Sequence, residues 1–256
     1  LLALKNCSLS QTKNPTKEEE MSEVSVASKV AVLLSGGADS AVALYQAKQQ
    51  GREVTALTLV SHSKGSNRVE VAFAEELAKK RQIPHHIITM SHLDGLFQDR
   101  PTVKFAVGGQ LGGCVGWGHE AAPLSVEVMI FTAMMYAVSH QLSAVIWAVH
   151  REDITQPLSE FKEYVGLVER IVRLRTGRDC LLAIPFISMN KDEVVMLGRK
   201  LNVPLRLTFS CSVSETLEPC GDCQQCHNRA LAFQKAGFSQ FGDQRLNRSE
   251  QDWLSA

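Results

Sequence analysis

The stretch Ser35-Gly36-Gly37-Ala38-Asp39-Ser40 follows directly on the apolar run Val30 to Leu34 and leads into Ala41-Val42-Ala43-Leu44-Tyr45. A buried strand that ends in a pair of glycines and restarts as a helix leaves little choice of local structure. The glycines let the backbone turn tightly and approach a ligand without Cβ contacts. The N–H groups at the start of the following helix favour an anion in front of them. Ser35 and Ser40 add hydroxyl donors, and Asp39 can hold a cation or cap the helix. The candidate anion-binding residues are therefore Ser35, Gly36, Gly37, Ala38, Asp39 and Ser40. The bland alternative is a glycine turn that only links strand to helix. Neither Gly-x-x-x-x-Gly-Lys-Ser/Thr nor a Gly-x-Gly-x-x-Gly after a strand occurs, so the Walker-type and dinucleotide-binding loops are not favoured.

From Val30 onward strand-like and helix-like segments alternate. Strands are expected at Val30–Leu34, Val54–Val60, His86–Met90, Ala144–Val149 and Leu181–Ile184. Helices are expected at Asp39–Gln50, Asn67–Arg81, Leu124–His140, Ser159–Arg175 and Lys191–Leu201. This alternation predicts an α/β fold, a mostly parallel sheet of five strands covered by helices on both faces. Ligands of such sheets lie outside the carboxyl ends of the strands, near the reversal of strand order. In the second helix Val69, Ala72, Phe73, Leu77 and Ala78 are expected to pack on the sheet.

With 256 residues and 45% hydrophobic content, the chain can bury one sizeable core and carry an appendage. Lys+Arg and Asp+Glu are 27 each, so no basic surplus points to nucleic acid. No apolar run approaches the roughly 18 residues of a membrane span, and no secretory segment is recognisable. A cytoplasmic protein with reduced thiols is the expectation. Residues 1–28 are polar and charged after the first few positions and are expected to be a disordered extension, with Met21 as a natural start. The α/β domain is expected at 29–205 and a separate tail at 206–256.

In that tail Cys211, Cys220, Cys223 and Cys226 place four thiols within sixteen residues. Thiolates at such short spacing suit a tetrahedral Zn2+ ion, and four protein ligands leave no open position, so the ion would be structural. His227 is a competing ligand made awkward by its adjacency to Cys226, and disulfides are the alternative for an oxidising compartment.

The Ser35 to Ser40 pattern resembles the loop of the PP-loop ATP pyrophosphatases. Together with Ile184-Pro185-Phe186, Lys191-Asp192-Glu193-Val194-Val195, Asn202-Val203-Pro204, Thr208-Phe209-Ser210-Cys211 and Cys220-Gly221-x-Cys223-x-x-Cys226-x-x-Arg229, it is similar to the 7-cyano-7-deazaguanine synthase family. The resemblance implies a Rossmann-like sheet of the adenine nucleotide alpha hydrolase type, with ATP and Mg2+ at the glycine loop. It implies a ligase that adenylates a deazapurine carboxylate, releases pyrophosphate and AMP, and couples the acid to ammonia on the way to a nitrile. Asp39, Ser40 and Lys191 are the residues it implies for catalysis, Lys191 being equally a solvated lysine at a helix start. Arg229 either reaches the same anion or pairs with a core carboxylate. The family's dimers make a homodimer an expectation.

Three segments depart from the family where the deazapurine should bind: Ser61 to Arg68, Gly116 to Ser125 and Arg151 to Pro157. The insert Val107 to Gly118 carries six glycines in twelve residues and is either a lid over the acceptor or a surface linker. As a lid it would bring Trp117 as a stacking face and His119 and Glu120 as hydrogen-bonding groups. The alternatives are a related ligase that joins a different carboxylate, or a different amine such as one on a protein, and a scaffold that holds nucleotide without turnover.

Overall fold

Val30, Ala31 and Val32 are all fully buried, Val30 and Val32 in one apolar cluster and Ala31 in another. A strand apolar on both sides must lie inside a sheet covered on both faces. The computed structural model describes residues 28–60, 66–90, 106–107, 110–111, 125–154 and 156–238. Its sheet contains β1 (Lys29–Leu33), β2 (Glu53–Val60), β3 (His85–Thr89), β6 (Ala144–Ile146) and β7 (Leu181–Ala183). All four pairings are parallel, in the order β3-β2-β1-β6-β7. The chain first builds outward from β1 through β2 to β3, then returns to the other side of β1. The reversal therefore falls between β1 and β6, at whose carboxyl edge the glycine loop begins.

The helices are α1 (Ala38–Gln49), α2 (Ser66–Lys80), α3 (Ser125–Ser139), α4 (Leu158–Thr176), α5 (Lys191–Lys200) and α6 (Gln224–Lys235). Residues of α1, α2, α5 and α6 join Val30 and Val32 in one cluster, while α3 and α4 cover the other face. In α2 the buried positions are Val69, Phe73, Ala74, Leu77 and Ala78. Ala72, expected on that face, is exposed, because a three-four spacing from Phe73 and Leu77 selects Ala74. β6 ends three residues earlier than Val149: after Trp147 donates to the Ala183 carbonyl at 2.9 Å, only a single bridge from His150 to Phe186 continues the ladder.

At the start of the glycine-rich insert, Ala106–Val107 (β4) and Gln110–Leu111 (β5) pair antiparallel. Gly108-Gly109 between them is a dipeptide that two-residue hairpins favour. The helix α6 was not legible in the hydrophobic period. Its buried stripe is Cys226, Arg229, Ala232 and Phe233, two of which carry no apolar signal. Phe233 is fully buried in the cluster shared with α1 and α5, so the cysteine tail packs on the sheet's helical layer. Phe233→Ala should lower the stability of the whole chain by about 3–5 kcal/mol, measured by urea unfolding as one shifted transition. A separate early transition would contradict this packing.

Candidate functional site

Gly36 takes φ +83, the left-handed region, and a Cβ there would overlap the Glu70 carbonyl oxygen of α2. No other residue type fits this turn without displacing α2. Gly37 is the N-cap of α1 and offers no side chain to its first N–H groups. The Gly36 carbonyl accepts the Phe209 N–H at 2.9 Å, so the segment leading to the cysteines lies along the loop. Ser35 Oγ and Ser40 Oγ are 3.1 Å apart. Ser40 Oγ also accepts the Ser35 N–H at 3.2 Å and lies 3.0 Å from the Gly37 carbonyl, to which it can donate. These hydroxyls lie beside the α1 N-terminus, a grouping of donors suited to phosphate oxygens.

Asp39 stands in the first turn of α1, and Lys191 opens α5. Both helices start at the carboxyl edge of the sheet. They approach closely because residue 198 is glycine: a Cβ there would come within 2.7 Å of Val42 Cγ2. Asn190 and Glu193 form a capping box that pins the start of α5. Lys191 Nζ consequently donates to Asp39 Oδ2 at 2.7 Å, with the two side chains 13% and 19% exposed. Burial raises the Asp39 pKa, but the Lys191 charge, the His150 charge and the Lys191 hydrogen bond outweigh it and hold the carboxyl below its ordinary value. Asp39 Oδ1 is buried with no hydrogen-bond partner among the described residues. A carboxylate oxygen in that state suits a divalent cation.

His150 and Asp153 complete the cluster; His150 was not singled out in the sequence, and Asp153 was named only within the divergent segment Arg151 to Pro157. The His150 Nε2 is 3.3 Å from Asp153 Oδ2 and 4.0 Å from Asp39 Oδ2. The His150 N–H donates to Asp153 Oδ2 at 3.0 Å, which ties the short turn Arg151–Asp153 to the end of the β6 segment. Burial raises the Asp153 pKa, and Asp39 adds to the rise against the opposing pull of His150 and Lys191. The signal that could have found them was their place: the residues just past β6, opposite the glycine loop at the strand-order reversal.

The four thiols Cys211, Cys220, Cys223 and Cys226 lie within 4.8 Å of one another. The sulfur separations are 3.5 Å for Cys211–Cys220, 3.9 Å for Cys223–Cys211 and 4.0 Å for Cys220–Cys226. A tetrahedron with metal–sulfur bonds of about 2.3 Å has sulfurs about 3.8 Å apart, so the cluster can hold a metal ion. The Ser214 and Cys220 N–H groups point at Cys211 Sγ at 3.3 and 3.4 Å, and the Cys223 N–H points at Cys220 Sγ at 3.3 Å. Such donors stabilise thiolate. Arg229 is buried and spans the segment before Cys211, donating to Thr208 Oγ1 at 2.9 Å, Ser210 Oγ at 3.2 Å and the Leu205 carbonyl at 2.9 Å. Its guanidinium also stacks on Phe233 at 4.4 Å. These bonds brace the backbone that touches Gly36. Burial pulls the Arg229 pKa down to about 10. Trp117, His119 and Glu120 lie outside the described residues, as do residues 61–65 of the first divergent segment.

The Queuosine biosynthesis protein QueC family matches residues 29–237. The chain belongs to the QueC family. A relative named 7-cyano-7-deazaguanine synthase from Methanoregula boonei is 29% identical over 217 residues, covering 82% of this chain and 95% of the relative. One of the same name from Archaeoglobus fulgidus is 30% identical over 237 residues, covering 89% and 93%. Among solved structures, NMN synthetase from Francisella tularensis superposes with a TM-score of 0.45 at 20% identity, over 77% of this chain and 76% of that one. Membership of this family, whose relatives are named synthases, makes the chain an enzyme. No helix among the described residues is long and apolar enough to cross a membrane.

Because the Asp39 pKa is depressed, its contribution to stability is present above the ordinary carboxylate range and is lost as pH falls through the folded value. Lys191→Met should cost about 1.5–3 kcal/mol at neutral pH, the range for a hydrogen bond to a charged group. It should also move the onset of acid unfolding to higher pH, read from urea midpoints across an acid series. Co2+ added under reducing conditions should give the intense thiolate-to-metal absorption of a four-sulfur tetrahedral site, and Cys226→Ser should reduce it.

Proposed function

We propose that this enzyme is an ATP-dependent ligase of the 7-cyano-7-deazaguanine synthase type, converting a 7-deazaguanine carboxylate and ammonia to the nitrile. The observation that supports it is the Lys191–Asp39 pair at 2.7 Å, set beside the glycine loop at the reversal of strand order. A carboxylate oxygen of the substrate would attack the α-phosphorus of ATP, forming an acyl adenylate as the bond to pyrophosphate breaks. Ammonia would then add to the acyl carbon, lose a proton and displace AMP, leaving the amide. In a second round the amide oxygen would take AMP from another ATP. Its loss together with both N–H protons would leave the nitrile.

The residues divide the work by chemistry. The backbone amides of Gly36 and Gly37 and the hydroxyls of Ser35 and Ser40 would donate to the leaving pyrophosphate, where negative charge grows. Lys191 would add a positive charge at the same edge and keep Asp39 ionised. Asp39 Oδ1 would hold Mg2+, which would supply positive charge to offset that of the phosphates. The four-cysteine site takes Zn2+ in this proposal, contributing on the order of 10 kcal/mol to the order of the tail. Arg229 would act on the site only through Thr208 and Ser210, which it holds beside the loop.

A second reading, that the same machinery joins a different carboxylate or a protein-borne amine, is favoured by one feature. Arg151-Glu152-Asp153 forms a tight turn anchored by His150 where the resemblance leads one to expect an Asp-Cys-Arg-Pro-like substrate segment. A scaffold without turnover would have no use for the buried, unpartnered oxygen of Asp39. Incubation of the purified protein with ATP, Mg2+, ammonia and the deazapurine acid should yield AMP and pyrophosphate in equal amounts, with amide and then nitrile by mass spectrometry. Asp39→Ala should lower that rate by about 100-fold or more, as loss of a charge-stabilising group does. Formation of ADP and orthophosphate, or absence of substrate-dependent pyrophosphate, refutes the assignment. Pyrophosphate release that needs another amine selects the second reading.

A further inference from the structure

The reaction proposed above leaves its nitrogen donor without a residue, and one buried group at the site is without a task. His150, just past β6, is 3% exposed. Its Nε2 lies 3.3 Å from Asp153 Oδ2 and 4.0 Å from Asp39 Oδ2. Carboxylate oxygens accept hydrogen bonds, so the imidazole turns its N–H toward them at Nε2, and in that tautomer Nδ1 presents a lone pair. Nδ1 is buried and has no hydrogen-bond partner among the described residues. A buried polar atom left so calls for an explanation, and a guest that brings an N–H group supplies one.

The two sides of the site differ in polarity. Beside α1, the Ser35 and Ser40 hydroxyls and Lys191 Nζ are donors suited to phosphate oxygens. Beside β6, the Asp39 and Asp153 carboxylates and the Nδ1 lone pair are acceptors, which repel a phosphate and favour a small N–H donor. Mg2+ takes oxygen ligands in preference to imidazole, so a cation at Asp39 leaves Nδ1 unused. The acid enters the reaction through a carboxylate, which a lone pair also repels. Ammonia has three N–H bonds and one lone pair: an N–H given to Nδ1 holds the molecule while its own lone pair stays free for the acyl carbon. Asp153 fixes the ring from the other side, since its Oδ2 faces Nε2 and also accepts the His150 backbone N–H at 3.0 Å. We propose that His150 Nδ1 is the acceptor that binds and orients ammonia for attack on the acyl adenylate, with Asp153 as the positioning residue of the ring; the inference rests on the function proposed above. Its effect is one of proximity and orientation at the second half of the reaction.

The test compares His150→Leu, which removes both ring nitrogens, with His150→Asn, whose side-chain oxygen can stand where Nδ1 stood. Both lose the Nε2 contacts, so the difference between them reports Nδ1. Circular dichroism and thermal melting confirm that each is folded, and His150→Phe replaces His150→Leu in the comparison if the latter is not. Two rates are read on the full chain at one pH. With ATP, Mg2+ and the deazapurine acid saturating, kcat/KM for ammonium chloride reports the attack of ammonia. With ammonia omitted, acid-dependent exchange of labelled pyrophosphate into ATP reports adenylation alone. His150→Leu should lower kcat/KM for ammonia by about 10-fold more than it lowers exchange, as loss of one hydrogen bond does, and His150→Asn should recover most of that extra loss. Equal losses in the two assays place Nδ1 at the nucleotide or the acid and overturn the inference. So does an unchanged kcat/KM for ammonia, or a His150→Asn protein no better than His150→Leu. Any of these results, with exchange present in the unchanged protein, leaves the proposed function standing; no exchange in the unchanged protein refutes that function and this inference with it.

Discussion

The missing Cβ of Gly36 is the constraint on which the site depends. At that one position the backbone adopts a left-handed turn, sits against the Glu70 carbonyl of α2 and accepts the Phe209 N–H from the segment before the cysteines. Three parts of the chain far apart in sequence therefore meet on two peptide groups. Any larger residue would separate them. The loop that follows β1 is thereby held from both sides, and its donors are in place before a ligand arrives. Preorganised donors of this kind are worth more to catalysis than mobile ones, because they need no rearrangement when charge develops.

Charge at the site is arranged with the same economy of distance. α1 and α5 begin at one edge of the sheet, and the absence of a side chain at Gly198 lets them lie close enough for Lys191 to reach Asp39. One oxygen of Asp39 is thus satisfied, and the other has no partner among the described residues. An ion pair with a spare buried oxygen is a poor device for stability alone, since the desolvation of both charges offsets most of their attraction. It suits a site whose remaining partner is a cation brought with the nucleotide. His150 and Asp153 close the far side of this cluster from β6, which makes the electrostatics of the site a property of two strands and three helix or turn starts together.

The cysteine cluster belongs mechanically to the same site. Phe73 of α2 stacks on Phe209 with ring centroids 5.3 Å apart, and both share a small core with Cys211 and Cys226. Arg229 stitches Leu205, Thr208 and Ser210 together from α6. Closing the four sulfurs on a metal ion would fix the segment whose amide bonds Gly36. A structural ion can in this way set the shape of a catalytic loop without touching a substrate.

Much of this was written in local sequence. The five strands and five of the helices follow from apolar period, and the glycine loop and the four thiols follow from residue chemistry at short spacing, because each is decided within a few neighbouring residues. The helix α6 escaped notice because Cys226 and Arg229 occupy its inner face and carry no hydrophobic signal. Ala74 replaced Ala72 for a reason of helical phase that only packing displays. The pairing of Asp39 with Lys191, across 152 positions, and the addition of His150 and Asp153 could be decided only by strand order and by how closely α1 and α5 approach. Local chemistry names the groups able to react; the distance and dielectric between them come from the sheet that brings their segments to one edge.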